Sequence, residues 1–81
     1  MMQSADWQHH RYLDLRGLAC PLPVLKTRKA LLQMASGRRL LVEATDPLAA
    51  IDIPHLVSEV GHSVIAMQAD DGVFRCLIEH A

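Results

Sequence analysis

Apolar and polar residues alternate over Arg11-Tyr12-Leu13-Asp14-Leu15, which places Leu13 and Leu15 on one face of a half-buried strand. From Pro21 to about Ala35 the period lengthens to that of a helix. Val24, Leu25, Leu31, Leu32 and Ala35 share one arc, and Lys26, Lys29 and Gln33 share the opposite one. Ser36-Gly37 supplies the stop, glycine being the usual residue just past a helix end. Arg38 to Thr45 reads as a second strand. Asp46-Pro47 then carries a helix-start signal, an N-cap followed by proline at the first helical position. Pro54 is expected to interrupt this second helix, leaving a short segment through Asp52 and a continuation from Pro54 to Val60 that Asp52 caps and Gly61 ends. Ser63 to Ala69 and Val73 to His80 read as strands joined across Asp70-Asp71-Gly72, a hairpin sequence.

The order is therefore β-α-β-α-β-β. Each helix has one apolar face, so both are expected on one side of a four-stranded mixed sheet, a two-layer α/β sandwich of the α+β class. The opposite sheet face is expected to be polar, carrying Tyr12, Asp14, Glu43, Arg75 and Glu79. Residues 1–10 read as a loose arm and residues 11–81 as a single domain. A chain of 81 residues has a core large enough to fold but little stability to spare. Its formal charge of −1 sets it apart from broadly basic nucleic-acid binders, so direct nucleic-acid binding is not expected. No apolar run is long enough to span a membrane, and Met1 to Asp6 lack the charged start and apolar stretch of a signal peptide; the chain reads as cytoplasmic.

Candidate chemistry gathers in Gly17-Leu18-Ala19-Cys20-Pro21-Leu22-Pro23-Val24-Leu25. Pro21 disfavours helical backbone at the preceding residue, so Cys20 is expected at the N-cap with Pro21 and Pro23 in the first turn, where their missing N–H groups are not needed. The prolines leave the N–H of Leu22 as the first-turn donor able to reach the Cys20 sulfur. With the positive helix end, that donor favours a thiolate. Pro23 disfavours helical backbone at Leu22 in turn, so the first turn is expected to be tight or irregular. Gly17 admits unusual backbone just before the cysteine. These residues alone leave a reactive thiol and a buried structural cysteine equally open.

The stretch Leu13-Asp14-Leu15-Arg16-Gly17-Leu18-Ala19-Cys20-Pro21-Leu22-Pro23, with Asp46-Pro47, Asp52-Ile53-Pro54 and Gly61-His62 downstream, resembles the TusA/SirA-like sulfur-carrier family. The likeness runs from about residue 12 to 80. It implies a sulfurtransferase in which Cys20 carries a persulfide, taking sulfur from a donor such as a cysteine desulfurase and relaying it to an acceptor protein. Gly17, Pro21, Leu22 and Pro23 would support that motif, with no cofactor and no metal. In the best-known branch of the family the residue between the prolines is glutamate, whereas here it is Leu22. The pathway therefore stays open among tRNA thiolation, molybdenum-cofactor supply and sulfur oxidation.

The remaining candidates read more plainly. Phe74, Cys76 and Ile78 share a strand face, which makes Cys76 a small buried residue rather than a resolving thiol. Five histidines show no compact metal-ligand spacing. Arg28 sits within the apolar arc as a snorkelling side chain, two turns from the cysteine and too far along for direct pairing. Leu18 and Leu22 beside the thiol, with Lys26 and Lys29 further along the helix, are the expected docking surface. The competing reading is a non-catalytic regulatory or interaction module of the same fold, with RNA among its contacts and Cys20 only structural. Near-neutral charge and few aromatics weigh against the RNA version.

Overall fold

Alternation does at Arg11–Leu15 what the pattern predicts: Leu15 is fully buried, Leu13 packs beneath it, and Tyr12 and Asp14 point the other way. This strand, β1, pairs in parallel with β2 (Arg39–Ala44), in register from Arg11 against Leu40 to Leu15 against Ala44. In the computed structural model, which describes residues 7–81, the elements continue as α1 (Leu22–Leu32), α2 (Ala49–Glu59), β3 (Ser63–Asp70) and β4 (Val73–Glu79). Residues 1–6, most of the expected arm, lie outside the described residues. At its end, His10 donates its N–H to the Arg39 carbonyl at 2.9 Å and accepts the Arg39 N–H on Nδ1 at 2.9 Å, which carries the β1–β2 pairing one residue outward.

The sheet order is β1-β2-β4-β3, with β4 antiparallel to both neighbours. Asp71 and Gly72 close the β3–β4 hairpin with φ of 53° and 79°, the paired positive angles of a type I′ turn. A bulge between Val64 and Ala66 interrupts the outer strand β3, a device that blunts an exposed sheet edge. Both helices cover one face. Ala30 and Leu31 of α1 and Ala49, Ile53 and Val57 of α2 pack on Leu15, Leu40, Val42, Ala44, Phe74, Cys76 and Ile78. The expected two-layer α+β sandwich with a four-stranded mixed sheet is the observed fold.

The buried face of α1 is not the expected arc. Pro23, Thr27, Ala30 and Leu31 point inward, while Leu25, Leu32 and Ala35 face solvent. Thr27 is fully buried because its hydroxyl donates to the Pro23 carbonyl at 2.8 Å, so its polarity is satisfied within the helix. The helix also ends sooner than expected, at Leu32 with Gln33 as C-cap.

Pro54 does not interrupt α2, which runs unbroken from Ala49 to Glu59. Its missing N–H frees the carbonyl four residues back, on Ala50, an exposed residue where water can take that bond. Asp52 therefore caps no resumed helix. The inward face of α2 is Ala49, Ile53, Leu56 and Val57, a regular helical stripe.

On the open sheet face Glu43 accepts a hydrogen bond from the Tyr12 hydroxyl at 2.5 Å and pairs with Arg75 at 2.7 Å. Both donors hold the Glu43 carboxyl below its ordinary pKa, the Tyr12 bond being the larger cause. Arg39 pairs with Glu79 at 3.2 Å. Between these two ion pairs in the β2–β4 register lie Leu41 and Leu77, 8% and 0% exposed, sheltered by longer polar side chains. The polar face was expected; the leucine pair within it was not.

Beyond α2, His62 stacks against His80 with ring centroids 4.0 Å apart, and its Nδ1 accepts the Ala81 N–H at 3.0 Å. Desolvation, then His80, lowers the His62 pKa below its ordinary 6.5. The unfolded chain therefore takes up this proton first as pH falls. The stability involved is complete above about pH 6.5 and is lost as pH drops from there toward the folded value. The urea midpoint is expected to fall between pH 7.5 and 5.5, and His62→Asn, which keeps an acceptor for Ala81, should flatten that fall. An unchanged slope in the variant would place the dependence on another group. Asp14, held down to about 2 by hydrogen bonds from Arg16, contributes only in a much more acidic window.

Candidate functional site

Because β1 and β2 are parallel neighbours, the loops that follow them leave the sheet at the same edge. The first loop, residues 16–21, carries Cys20; the second, residues 45–48, leads into α2. Two side chains of the second loop hold the backbone of the first. Thr45 Oγ1 accepts the Gly17 N–H at 2.8 Å, and Asp46 Oδ2 accepts the Cys20 N–H at 2.6 Å. The other Asp46 oxygen accepts the Leu48 N–H at 3.0 Å. Gly17 has φ of 83°, which an L side chain rarely adopts, so the chain can turn there immediately after β1.

The helix start differs from expectation at both prolines. Cys20 precedes a cis bond to Pro21, Pro21 is the N-cap, and Leu22 is the first helical residue. The Leu22 N–H does not point at sulfur. It closes a tight turn on the Ala19 carbonyl at 2.9 Å, so the donor assigned to the thiol is already used. The expected irregular first turn is present. Asp46 likewise sits two residues ahead of the N-cap of α2, which is Leu48, with helix proper beginning at Ala49.

Cys20 is exposed, whereas Cys76 is fully buried in the core, and burial pushes its thiol up to about 12. The exposed thiol opens into a groove of about 280 Å³ between the two helices. Pro21, Val24 and Arg28 line it from α1, and Asp52, His55, Leu56 and Glu59 from α2. Arg28 thus faces the cysteine groove rather than a sheet edge, and among the described residues it has no hydrogen bond or ion pair.

The expected docking residues are not brought together. Leu18 is half-buried against the core, and Leu22, two residues after Cys20, is 43% exposed and does not line the groove. Lys26 and Lys29 are exposed, but they flank α1 on the side of Arg11, Leu13 and Gln33, away from the groove. Pattern reading missed Thr45, His55 and Glu59, whose roles come only from the approach of α2 to α1. Asp46 carried a usable signal: an Asx residue at a strand end satisfies nearby backbone N–H groups. Among the described residues no three His, Cys, Asp or Glu side chains come together in a way that could hold a metal ion. No helix of these residues is long and apolar enough to cross a membrane.

The family model for the sulfurtransferase TusA matches residues 11–80. The chain belongs to the TusA family. Two relatives from Neisseria meningitidis, one of serogroup A and one of serogroup B, are each named "putative sulfur carrier protein". Each is 43% identical to this chain over 68 residues, which span 84% of this chain and 92% of the relative. A SirA-like protein of Desulfitobacterium hafniense has the same fold: its crystal structure matches with a TM-score of 0.77 at 22% identity, covering 86% of this chain and 96% of the other. A sulfur-carrier role follows from the TusA family, with donor and acceptor proteins as its general partners.

Proposed function

We propose that Cys20 is the atom-carrying residue of this sulfur carrier, cycling between thiol and persulfide. The observation that carries the reading is the contrast between the two thiols: Cys20 stands exposed at the mouth of a groove, and Cys76 is sealed in the core. In the loading step the Cys20 thiolate attacks the terminal sulfur of a donor persulfide. A new S–S bond forms at Cys20, the donor's S–S bond breaks, and the donor cysteine leaves as a thiolate. In the delivery step an acceptor thiolate attacks the same terminal sulfur and Cys20 leaves as thiolate, so no external oxidant or reductant is consumed. Gly17, Pro21 and Pro23 shape the loop and helix start, and Leu22, two residues after Cys20, supplies exposed apolar surface. A cysteine desulfurase is the proposed donor and a downstream sulfur-acceptor protein the recipient.

The test is incubation with a cysteine desulfurase and cysteine, followed by intact-mass measurement. A gain of one sulfur atom, removed by a reductant, is expected; no gain with a desulfurase competent toward another carrier would sink the reading.

Charge on α1 should act on encounter with partners. The helix carries Lys26, Arg28 and Lys29 and no acidic residue. Reversing Lys26 and Lys29 to Glu is expected to slow sulfur transfer, mainly through the association rate and most at low salt, while the fold stays intact. Unchanged rates at low ionic strength would move the steering charge into the groove, to Arg28.

A further inference from the structure

Resting on the reading of Cys20 as the sulfur carrier, we propose that Thr45 and Asp46 are positioning residues that hold Cys20 in its transferring geometry. The need for such residues is visible in the loop itself. Residues 16–21 belong to no strand or helix, and their own backbone bonds are local: Leu18 to the Leu15 carbonyl at 3.2 Å and Leu22 to the Ala19 carbonyl at 2.9 Å. Neither bond ties the cysteine to another part of the fold, and Gly17 adds backbone freedom directly after β1. Among the described residues, the Thr45 hydroxyl on Gly17 and the Asp46 carboxylate on Cys20 are the only hydrogen bonds that tie this loop to a segment distant in sequence; the Arg16–Asp14 and Leu25–Pro21 bonds reach only its immediate neighbours.

The Asp46 contact is the stronger of the two. It is short, 2.6 Å, and a carboxylate acceptor makes a bond roughly twice as strong as a neutral one. Its other oxygen holds Leu48, the N-cap of α2. One side chain therefore sets the cysteine against the start of the helix that forms the far wall of the groove. Asp46 accepts its hydrogen bonds, among the described residues, from backbone N–H groups, those of Cys20 and Leu48. It acts through the backbone of Cys20.

Sulfur transfer between proteins needs the attacked sulfur in line with the attacking and leaving sulfurs, for two partners in turn. A misplacement of about 1 Å is enough to cost roughly a hundredfold in such a step. A small alkylating reagent has no such demand, since it reaches an exposed thiol from many directions. Loss of positioning should thus separate protein-to-protein transfer from simple thiol reactivity.

The experiment measures single-turnover sulfur transfer from a loaded cysteine desulfurase, at saturating donor, in the full chain. Asp46→Ala and Thr45→Val are expected to slow the saturated rate, Asp46→Ala by roughly tenfold to a hundredfold, while the half-saturating donor concentration changes little. Iodoacetamide should still modify Cys20 in both. Asp46→Asn and Thr45→Ser each keep an oxygen acceptor and should recover much of the rate; a role for charge alone would leave Asp46→Asn as slow as Asp46→Ala. Amide exchange gives an activity-independent reading, with Cys20 N–H protected in the parent and released in Asp46→Ala.

Asp46 also serves the start of α2, so Asp46→Ala can lose stability. Thr45→Val, at an exposed position outside that cap, then decides the matter. Parent-like saturated rates in Thr45→Val and in folded Asp46→Ala would overturn the positioning role while leaving Cys20 as carrier. Failure of the parent itself to take up sulfur on Cys20 would overturn the carrier reading and this proposal with it.

Discussion

Cys20→Ser is expected to abolish the gain of a sulfur atom on incubation with a desulfurase and cysteine, whereas Cys76→Ala is expected to retain it in full. The difference is one of access. Cys20 is exposed on a loop at the sheet edge, while Cys76 is 0% exposed, between Val42 and Met67 in the register of β4 with its neighbours, and its thiol is pushed up to about 12 by burial. At neutral pH Cys76 holds essentially no thiolate, and no partner sulfur reaches it without opening the sheet. Alanine is the better replacement there because a buried serine hydroxyl with no partner costs about 1–3 kcal/mol. A sulfur gain that survives in Cys20→Ser and disappears in Cys76→Ala would reverse the assignment. Loss of gain in both would point to a fold disturbed by the core substitution, which near-ultraviolet circular dichroism reads directly.

Strand alternation and helix period were enough to place all six elements in order, and the two-layer arrangement followed from the one-sided apolarity of the helices. Cys20 stands out in the sequence as a candidate because two prolines and a glycine around one cysteine are locally unusual, and because the wider stretch resembles a known family. What local pattern does not carry is contact between segments distant in sequence. Asp46 reads as a helix cap for its own neighbours, yet one of its oxygens serves Cys20, 26 residues away. The groove is a property of two helices together, so His55 and Glu59 carry no signal in their own windows. At the helix start the departure is physical: the Leu22 N–H, the first-turn donor expected at the sulfur, closes instead on the carbonyl of Ala19, a stronger acceptor than a thiol sulfur.

The misplaced face of α1 yields the second large effect. Leu31 and Leu32 are adjacent, both read as inward from the apolar pattern, and the structure separates them: Leu31 is 2% exposed and Leu32 is 78% exposed. The pattern misleads because Thr27 and Pro23, polar and helix-breaking by reputation, occupy the true inward stripe, with the threonine hydroxyl spent on the Pro23 carbonyl. Leu31→Ala removes packing against the sheet and leaves a cavity that the surrounding core closes only in part, a loss of about 2–5 kcal/mol. In a small domain that is a large share of a total stability of about 5–15 kcal/mol. Leu32→Ala removes a side chain already in water and substitutes a residue of higher helix propensity, so its effect should stay within about ±0.5 kcal/mol. Urea unfolding of the two variants beside the parent measures both. A midpoint sharply lowered for Leu31→Ala and barely moved for Leu32→Ala is the expected outcome. Equal losses at the two positions would mean that α1 sits rotated toward the arc that its apolar residues alone suggest, and would carry Arg28 away from the cysteine groove with it.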